Sequence, residues 1–252
     1  MNRVAIIDLG TNTFNLLIAE INPNKTYQVL FQTKISVKLG EGGIDKGFIA
    51  PAAFQRGVEA IKSYQKIIKK YDVDKIIAIA TSAIRGASNG VEFVLKIKEE
   101  SNIDVQIISG EKEAELIYFG VRQAVKMNSE TSLIIDIGGG STEFIIANNK
   151  KIFWKQSFLL GAARLLEMFN PSDPITNVQI KTSVEYLKDQ LQPLFDAVKK
   201  YPVSELIGSS GSFDSLAEMI AVRFYTSKIL YGKTEFTFSI DDIAAIHKSI
   251  LK

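Results

Sequence analysis

The stretch Ser132-Leu133-Ile134-Ile135-Asp136-Ile137-Gly138-Gly139-Gly140-Ser141-Thr142-Glu143-Phe144-Ile145-Ile146-Ala147 decides the fold. A short β-branched run, Ser132–Asp136, ends in an aspartate, passes through a turn of glycine, serine and threonine, and re-enters an apolar run, Glu143–Ala147. That is the pattern of a β-hairpin. The N-terminus repeats it in other letters: Val4–Asp8, then Gly10-Thr11-Asn12-Thr13, then Phe14–Glu20. Setting Asp8 on Asp136 lays Ile6-Ile7-Asp8-Leu9-Gly10 over Ile134-Ile135-Asp136-Ile137-Gly138, an offset of 128 residues. The repetition predicts a duplicated α/β fold, with an N-terminal lobe over 1–127 and a C-terminal lobe over 128–252.

Between and after the hairpins the chain alternates strands and helices. Gln28–Leu39 reads as a further strand region, and Gly40-Glu41-Gly42-Gly43 is too rich in glycine for a regular element. Ala52–Tyr71 has helical periodicity, with Phe54, Val58, Ile61 and Ile68 on one side and lysines elsewhere. Lys75–Ala80 reads as a buried strand, Gly90–Glu100 as a helix and Asp104–Ile108 as a strand. Ser109 is a candidate N-cap for a helix running to Met127, and the acids after it suit the positive end of the helix dipole. Lys151–Phe158 continues the second sheet and Gly161–Phe169 begins a helix. Asn177–Lys200 is expected to be one long helix. Glu205–Ile207 is a strand that delivers Gly208-Ser209-Ser210-Gly211-Ser212 into another helix, and a last helix starts near Ile240.

The two hairpins carry chemistry as well as fold. A glycine turn lets backbone come close to a phosphate, because no Cβ stands in the way. The turn amides and the Thr and Ser hydroxyls are then donors for phosphate oxygens. An aspartate at each strand end is suited to a hard cation or to orienting water. Glu143 is a further carboxylate on the second hairpin. Glu111, Glu113 and Glu115, at the start of the helix after Ser109, are candidates for a general base, and spacing alone does not choose among them. Arg85 follows a strand through a Thr-Ser turn, where a guanidinium is placed to grip an anion. Gly208–Ser212, between strand and helix, is another candidate anion cradle.

Composition narrows the options. The chain of 252 residues is 46% hydrophobic and 23% charged, an ordinary globular profile, and its net charge of +2 gives no overall pull toward nucleic acid or a membrane surface. With no cysteine and a single histidine, His247, thiolate and poly-imidazole metal sites are excluded. A cation here needs oxygen ligands, which points to Mg²⁺, Mn²⁺ or Ca²⁺. The N-terminus lacks a secretory pattern and no run reaches a membrane span, so a cytoplasmic location is expected.

Four motifs occur in order: Asp8-Leu9-Gly10-Thr11-Asn12-Thr13-Phe14, Ala80-Thr81-Ser82-Ala83-Ile84-Arg85, Ser109-Gly110-Glu111-Lys112-Glu113-Ala114 and Asp136-Ile137-Gly138-Gly139-Gly140-Ser141-Thr142-Glu143. Together they resemble the exopolyphosphatase and guanosine pentaphosphate phosphohydrolase family, within the superfamily of actin, hexokinase and the heat-shock chaperone ATPases. The resemblance implies two ribonuclease H-like lobes flanking a cleft. It implies Glu113 as catalytic base, because the family keeps the glutamate directly before alanine. It implies Mg²⁺ (or Mn²⁺) near Asp8, Asp136 and Glu143. Thr11, Asn12, Thr13, Arg85, Gly139, Gly140, Ser141 and Thr142 take phosphate-binding roles, and Gly208-Ser209-Ser210-Gly211 matches a third glycine-rich loop. Lys112 departs from the second acid that many members carry. Members of the short type run on beyond the equivalent of Lys252, so the C-terminal lobe is expected to be incomplete; the helical domain with which long members extend the groove is also lacking from this sequence, so processivity on long polymers is not expected.

The expectation that follows is a hydrolase of terminal phosphoanhydrides, acting on inorganic polyphosphate or guanosine pentaphosphate, with polyphosphate or guanosine penta- or tetraphosphate as its partner, no nucleic-acid or membrane partner and a family-based homodimer. The rival readings are an ATP-dependent phosphotransferase of the sugar or acetate kinase type and a non-catalytic sensor of guanosine tetraphosphate or polyphosphate.

Overall fold

Side-chain alternation sets the first sheet. In β1 (Asn2–Leu9) Ala5, Ile7 and Leu9 are buried while Ile6 faces outward, the period-two signature of a strand with one face on a core. The computed structural model describes residues 2–24 and 26–251. β2 (Thr13–Ile21) pairs antiparallel with β1, placing Asp8 opposite Asn15 and Leu9 opposite Phe14. β3 (Tyr27–Ser36) pairs antiparallel with β2. β4 (Lys75–Ala80) returns parallel to β1 after α1 (Pro51–Lys70), because a parallel neighbour requires a long crossover. β5 (Val105–Ile107) follows α2 (Ser82–Arg85) and α3 (Gly90–Ser101), and the sheet order is β3-β2-β1-β4-β5.

The second sheet repeats this order over its first four strands. β6 (Ser132–Ile137), β7 (Thr142–Ala147), β8 (Ile152–Phe158) and β9 (Glu205–Ser209) stand as β8-β7-β6-β9, with β9 parallel to β6 and Ser209 opposite Asp136. Hairpin, third strand on the outer side and parallel fourth strand on the inner side recur, as the repeated motif predicts. The helices are α4 (Gly110–Ala124), α5 (Ala162–Phe169), α6 (Asn177–Gln190), α7 (Gln192–Lys200), α8 (Gly211–Phe224) and α9 (Ile240–Ile250), with a 3-10 turn at Ser227–Leu230.

The chain divides into two compact units. One comprises Met1–Glu113, Gly139–Thr142 and Phe158–Gln190; the other comprises Ala114–Gly138, Glu143–Ser157 and Leu191–Lys252. The first packs Phe14, Leu16, Ile61, Tyr64, Phe93 and Ile97 into its core. Tyr64 is fully buried, and its hydroxyl donates to the Phe14 carbonyl at 2.7 Å, just past the first hairpin turn. Burial, chiefly, pushes this phenol up to about 12, so it stays a neutral donor and anchors the hairpin. The second unit is built on Tyr118, Ile134, Ile145, Ala147 and Ile207, and the Tyr118 hydroxyl donates to the Asn148 carbonyl at 2.9 Å. No helix among the described residues is long and apolar enough to cross a membrane.

Three elements differ from the sequence reading. β3 stops at Ser36 instead of Leu39, because the Val37 and Lys38 amides leave the ladder for the Asn12 carbonyl. The stretch Asn177–Lys200 is two helices, α6 and α7. Pro193 lies in the first turn of α7, where its missing N–H is tolerated but where it cannot continue the preceding ladder. β4 is buried only toward its end: Ile76 and Ile77 are exposed and Ala78 and Ala80 are buried.

Candidate functional site

In the first unit the turns of both hairpins meet. A Cβ added to Gly139 would lie 2.9 Å from Asn12 Nδ2 and 3.0 Å from Thr11 Cβ. One added to Gly140 would lie 2.5 Å from Thr11 Oγ1 and 2.8 Å from Ser82 Oγ. Contacts that short with the buried Thr11 and Ser82 require glycine at position 140, and a side chain at position 139 would have to displace the Asn12 amide. Thr11, Gly140, Ser141 and Thr142 are buried, Asn12 is exposed, and Thr13 and Gly139 are partly buried. Ser82 Oγ, also buried, has no hydrogen-bond partner among the described residues. The Thr142 hydroxyl donates to the Leu160 carbonyl at 2.9 Å.

Carbonyls of both turns are held from behind. Val37 N and Lys38 N donate to Asn12 O at 2.9 and 2.8 Å, and Gly40 N donates to Thr11 O at 3.2 Å. On the second turn, Ala163 N and Arg164 N donate to Gly139 O at 2.9 and 3.1 Å. Arg164 Nε donates to Gly140 O at 3.1 Å. Sequence reasoning missed Arg164, because a lone arginine near the start of an amphipathic helix carries the signal of a surface residue.

Asp8 lies on β1 just ahead of the first turn, and Asn15 Nδ2 donates to its carboxylate at 3.1 Å. Glu113 is in the first turn of α4. The Ser109 hydroxyl accepts from Lys112 N at 3.1 Å, which is the N-cap read from the sequence, and Glu113 N donates to Ser109 O at 3.0 Å. Arg85, at the end of α2, reaches Glu113 with Nη1 to Oε2 at 2.9 Å, and the same nitrogen donates to Ile108 O at 3.0 Å. Both side chains are about four-fifths buried, with 22% and 17% of their surface exposed.

The second unit holds the other carboxylates. Asp136 ends near Ser209 and Ser210. Burial holds its carboxyl above the usual range, hydrogen bonds from Ser209 and Ser210 pull against that, and the charge of Asp214 adds to it. Glu143 is 1% exposed and accepts from Ser157 Oγ at 2.6 Å, so it is an interior carboxylate, not a solvent-facing strand residue.

The expected Gly208–Ser212 loop contracts to a single residue between β9 and α8, Ser210. Gly208 lies inside β9, where a Cβ would collide with the Phe213 ring at 2.0 Å, and Gly211 faces open space. Ser210 has φ 75° and ψ 171°, a region that costs a non-glycine residue about 1–3 kcal/mol. Ser210 and Ser212 hydroxyls both lie 3.3 Å from Ile137 O, their acceptor. Replacing Ser210 with glycine is expected to stabilise the protein by about 1 kcal/mol, the strain relief outweighing the entropy glycine returns to the unfolded chain. A thermal melt checks this: an increase in Tm of about 2–4 °C is expected, and a decrease would refute the strain.

Among the described residues no three His, Cys, Asp or Glu side chains form a group able to hold a metal ion.

Two sheets led by the same aspartate-tipped hairpin, with glycine turns and a paired glutamate and arginine, define a duplicated α/β protein. More narrowly, the chain belongs to the Ppx/GppA phosphatase family, whose model matches residues 17–245. It is similar to the crystal structure of an exopolyphosphatase from Cytophaga hutchinsonii, at 41% identity and TM-score 0.95 over 99% of this chain and 80% of that one. It is also similar to the Aquifex aeolicus PPX-GPPA enzyme, at 27% identity and TM-score 0.78 over 99% of this chain and 81% of that one. A bifunctional 3-dehydroquinate synthase/phosphatase of Fusobacterium nucleatum is 36% identical over 218 residues, 82% of this chain. The chain spans about a third of that relative, 32% of its length.

Proposed function

We propose that this protein hydrolyses phosphoanhydrides, releasing terminal orthophosphate from inorganic polyphosphate or guanosine pentaphosphate. The observation that carries the reading is the Glu113–Arg85 pair at 2.9 Å, a carboxylate held in place by a cation in the unit that also contains the two glycine turns. Membership of a phosphatase family supports it, as does the likeness to the Cytophaga exopolyphosphatase.

The terminal phosphate would be held by the turn amides of Asn12, Thr13, Gly140 and Ser141, with Thr11, Gly139 and Thr142 completing the two turns. Glu113 would orient a water and take its proton as the oxygen attacks the terminal phosphorus. The anhydride bond breaks toward the leaving phosphate, which departs with the electron pair, and the products are orthophosphate and a chain one unit shorter. Phosphoryl transfer of this kind depends on positioning and charge neutralisation more than on covalent chemistry. Arg85 would supply positive charge to the equatorial oxygens. Mg²⁺ or Mn²⁺, when bound, supplies further neutralisation. Asp136 and Glu143 are the carboxylates we assign to a cation in the second unit, and Asp8 is their counterpart in the first.

The test is orthophosphate release by the purified protein with Mg²⁺ on short polyphosphate, long polyphosphate, guanosine pentaphosphate and ATP. Faster release from polyphosphate or guanosine pentaphosphate than from ATP is expected. Absence of release from all four substrates would end the reading.

A further inference from the structure

We propose that Arg164 is a positioning residue that sets the amide groups of both phosphate-binding turns. The inference rests on the reading that those turns hold phosphate. Across a trans peptide the C=O of one residue and the N–H of the next point in opposite directions. Fixing a carbonyl therefore aims the following amide the other way.

Both turns are fixed in this manner, and in each one carbonyl accepts twice. Asn12 O takes the amides of Val37 and Lys38, and Gly139 O takes the amides of Ala163 and Arg164. Thr11 O is held by Gly40 N at 3.2 Å, and Gly140 O by Arg164 Nε at 3.1 Å. The amides of Asn12, Thr13, Gly140 and Ser141 are thereby turned away from the scaffold that does the holding. A row of amides aimed to one side is what a phosphate oxygen recognises.

Arg164 joins the two halves of that scaffold. Its Nε holds the second turn. Its Nη1 donates at 2.8 Å to Ile44 O, in the segment whose Gly40 amide holds the first turn. One helical turn later, Glu167 Oε1 accepts from Gly42 N at 2.7 Å, so α5 grips this segment twice. The Arg164 Nε and Nη1 hydrogen bonds both end on carbonyls, and burial lowers the guanidinium from its usual value while the charges of Tyr186, Asp45 and Glu167 pull it back up. The value of the arginine here is geometric: its planar fork fixes two carbonyls at once.

Arg164→Lys keeps the charge but cannot reproduce the fork, and Arg164→Ala removes both. Three readouts decide: thermal melts, kcat and KM for orthophosphate release, and the affinity of pyrophosphate as a probe by titration calorimetry. The expected result for Arg164→Lys is a Tm within a few degrees of the parent, with KM and the pyrophosphate Kd both raised about tenfold and kcat changed less. Arg164→Ala extends the same trend. Glu167→Ala, which loosens the same segment but leaves the Arg164 hydrogen bonds to Gly140 O and Ile44 O in place, raises both constants less. It decides the question if the arginine variants do not fold. Parent-like KM and probe affinity in the folded variants would overturn the proposal, as would losses that follow only the unfolded fraction. If the parent protein binds no pyrophosphate and releases no orthophosphate, the phosphate reading fails first and this inference with it. Parent binding with unaffected variants removes this inference alone.

Discussion

Glu113→Gln lowers kcat for orthophosphate release by about 10²–10⁴-fold, the range lost when a positioned general base is removed, while pyrophosphate affinity and fold are retained. Glutamine is nearly isosteric, so it can still accept a hydrogen bond from Arg85 Nη1, now 2.9 Å from the carboxylate. What it cannot do is take a proton from water. The competing account is that Glu113 serves only to neutralise Arg85. In that case the substitution leaves a partly buried guanidinium with a neutral partner, and the cost appears as stability. The pair is more buried than the exposed pairs worth about 0.2–1 kcal/mol and less than the fully buried ones whose breakage costs about 3–5 kcal/mol. A structural role therefore predicts a visible fall in Tm with kcat intact, and a base predicts the reverse. Single-turnover rates and thermal melts on the same preparation separate the two. Full activity in the variant would remove Glu113 from the mechanism.

The sequence carried most of the architecture because its strongest signals were local. The aspartate-tipped hairpins announce themselves by turn chemistry at a fixed offset, and the Ser109 cap by a hydroxyl three residues from the amide it accepts. What stayed hidden depends on contacts between distant segments. Arg164 acts on Ile44, 120 residues away in the chain, and nothing near either residue marks the meeting. Gly208 looked like part of a phosphate loop because a glycine leading into Ser209-Ser210-Gly211-Ser212 is the signal of such a loop. Its surroundings show a position left small for the Phe213 ring, a packing requirement that reads identically in one dimension. Glu143 followed Ser141-Thr142 in a strand whose alternation would place some residues outward, yet every residue of β7 is buried. A strand covered on both faces loses the alternation by which its burial would be read. The break between α6 and α7 had a local marker in Pro193, outweighed in the reading by amphipathic periodicity that continues across it.

Asp136→Asn is expected to abolish most activity and at the same time stabilise the metal-free protein at neutral pH. The first effect follows if Asp136 serves a bound cation: a loss of at least roughly 10–100-fold, the range seen when a group that only supports a metal ligand is removed. The second follows from where the carboxylate sits. Burial raises its folded-state pKa above the value of 3.8 for a free aspartate, hydrogen bonds from Ser209 and Ser210 offset part of this, and Asp214 adds repulsion. Between the unfolded and folded pKa the folded protein keeps a proton that the unfolded chain has released. Stability therefore falls as pH rises through that window, and above the folded pKa the loss is complete. Asparagine carries no proton and shows no such slope. With a chelator present, the variant should melt higher than the parent near neutrality, and the gap should close as pH drops toward 3.8. Mg²⁺ supplies the positive charge that burial withholds, so it should raise the Tm of the parent more than that of the variant. A variant that melts lower than the parent at neutral pH, or a gap independent of pH, would show that Asp136 is held comfortably by its serines. A charge held comfortably there has less need of a cation, so the same melts bear on the reason for placing an aspartate at the tip of the second hairpin.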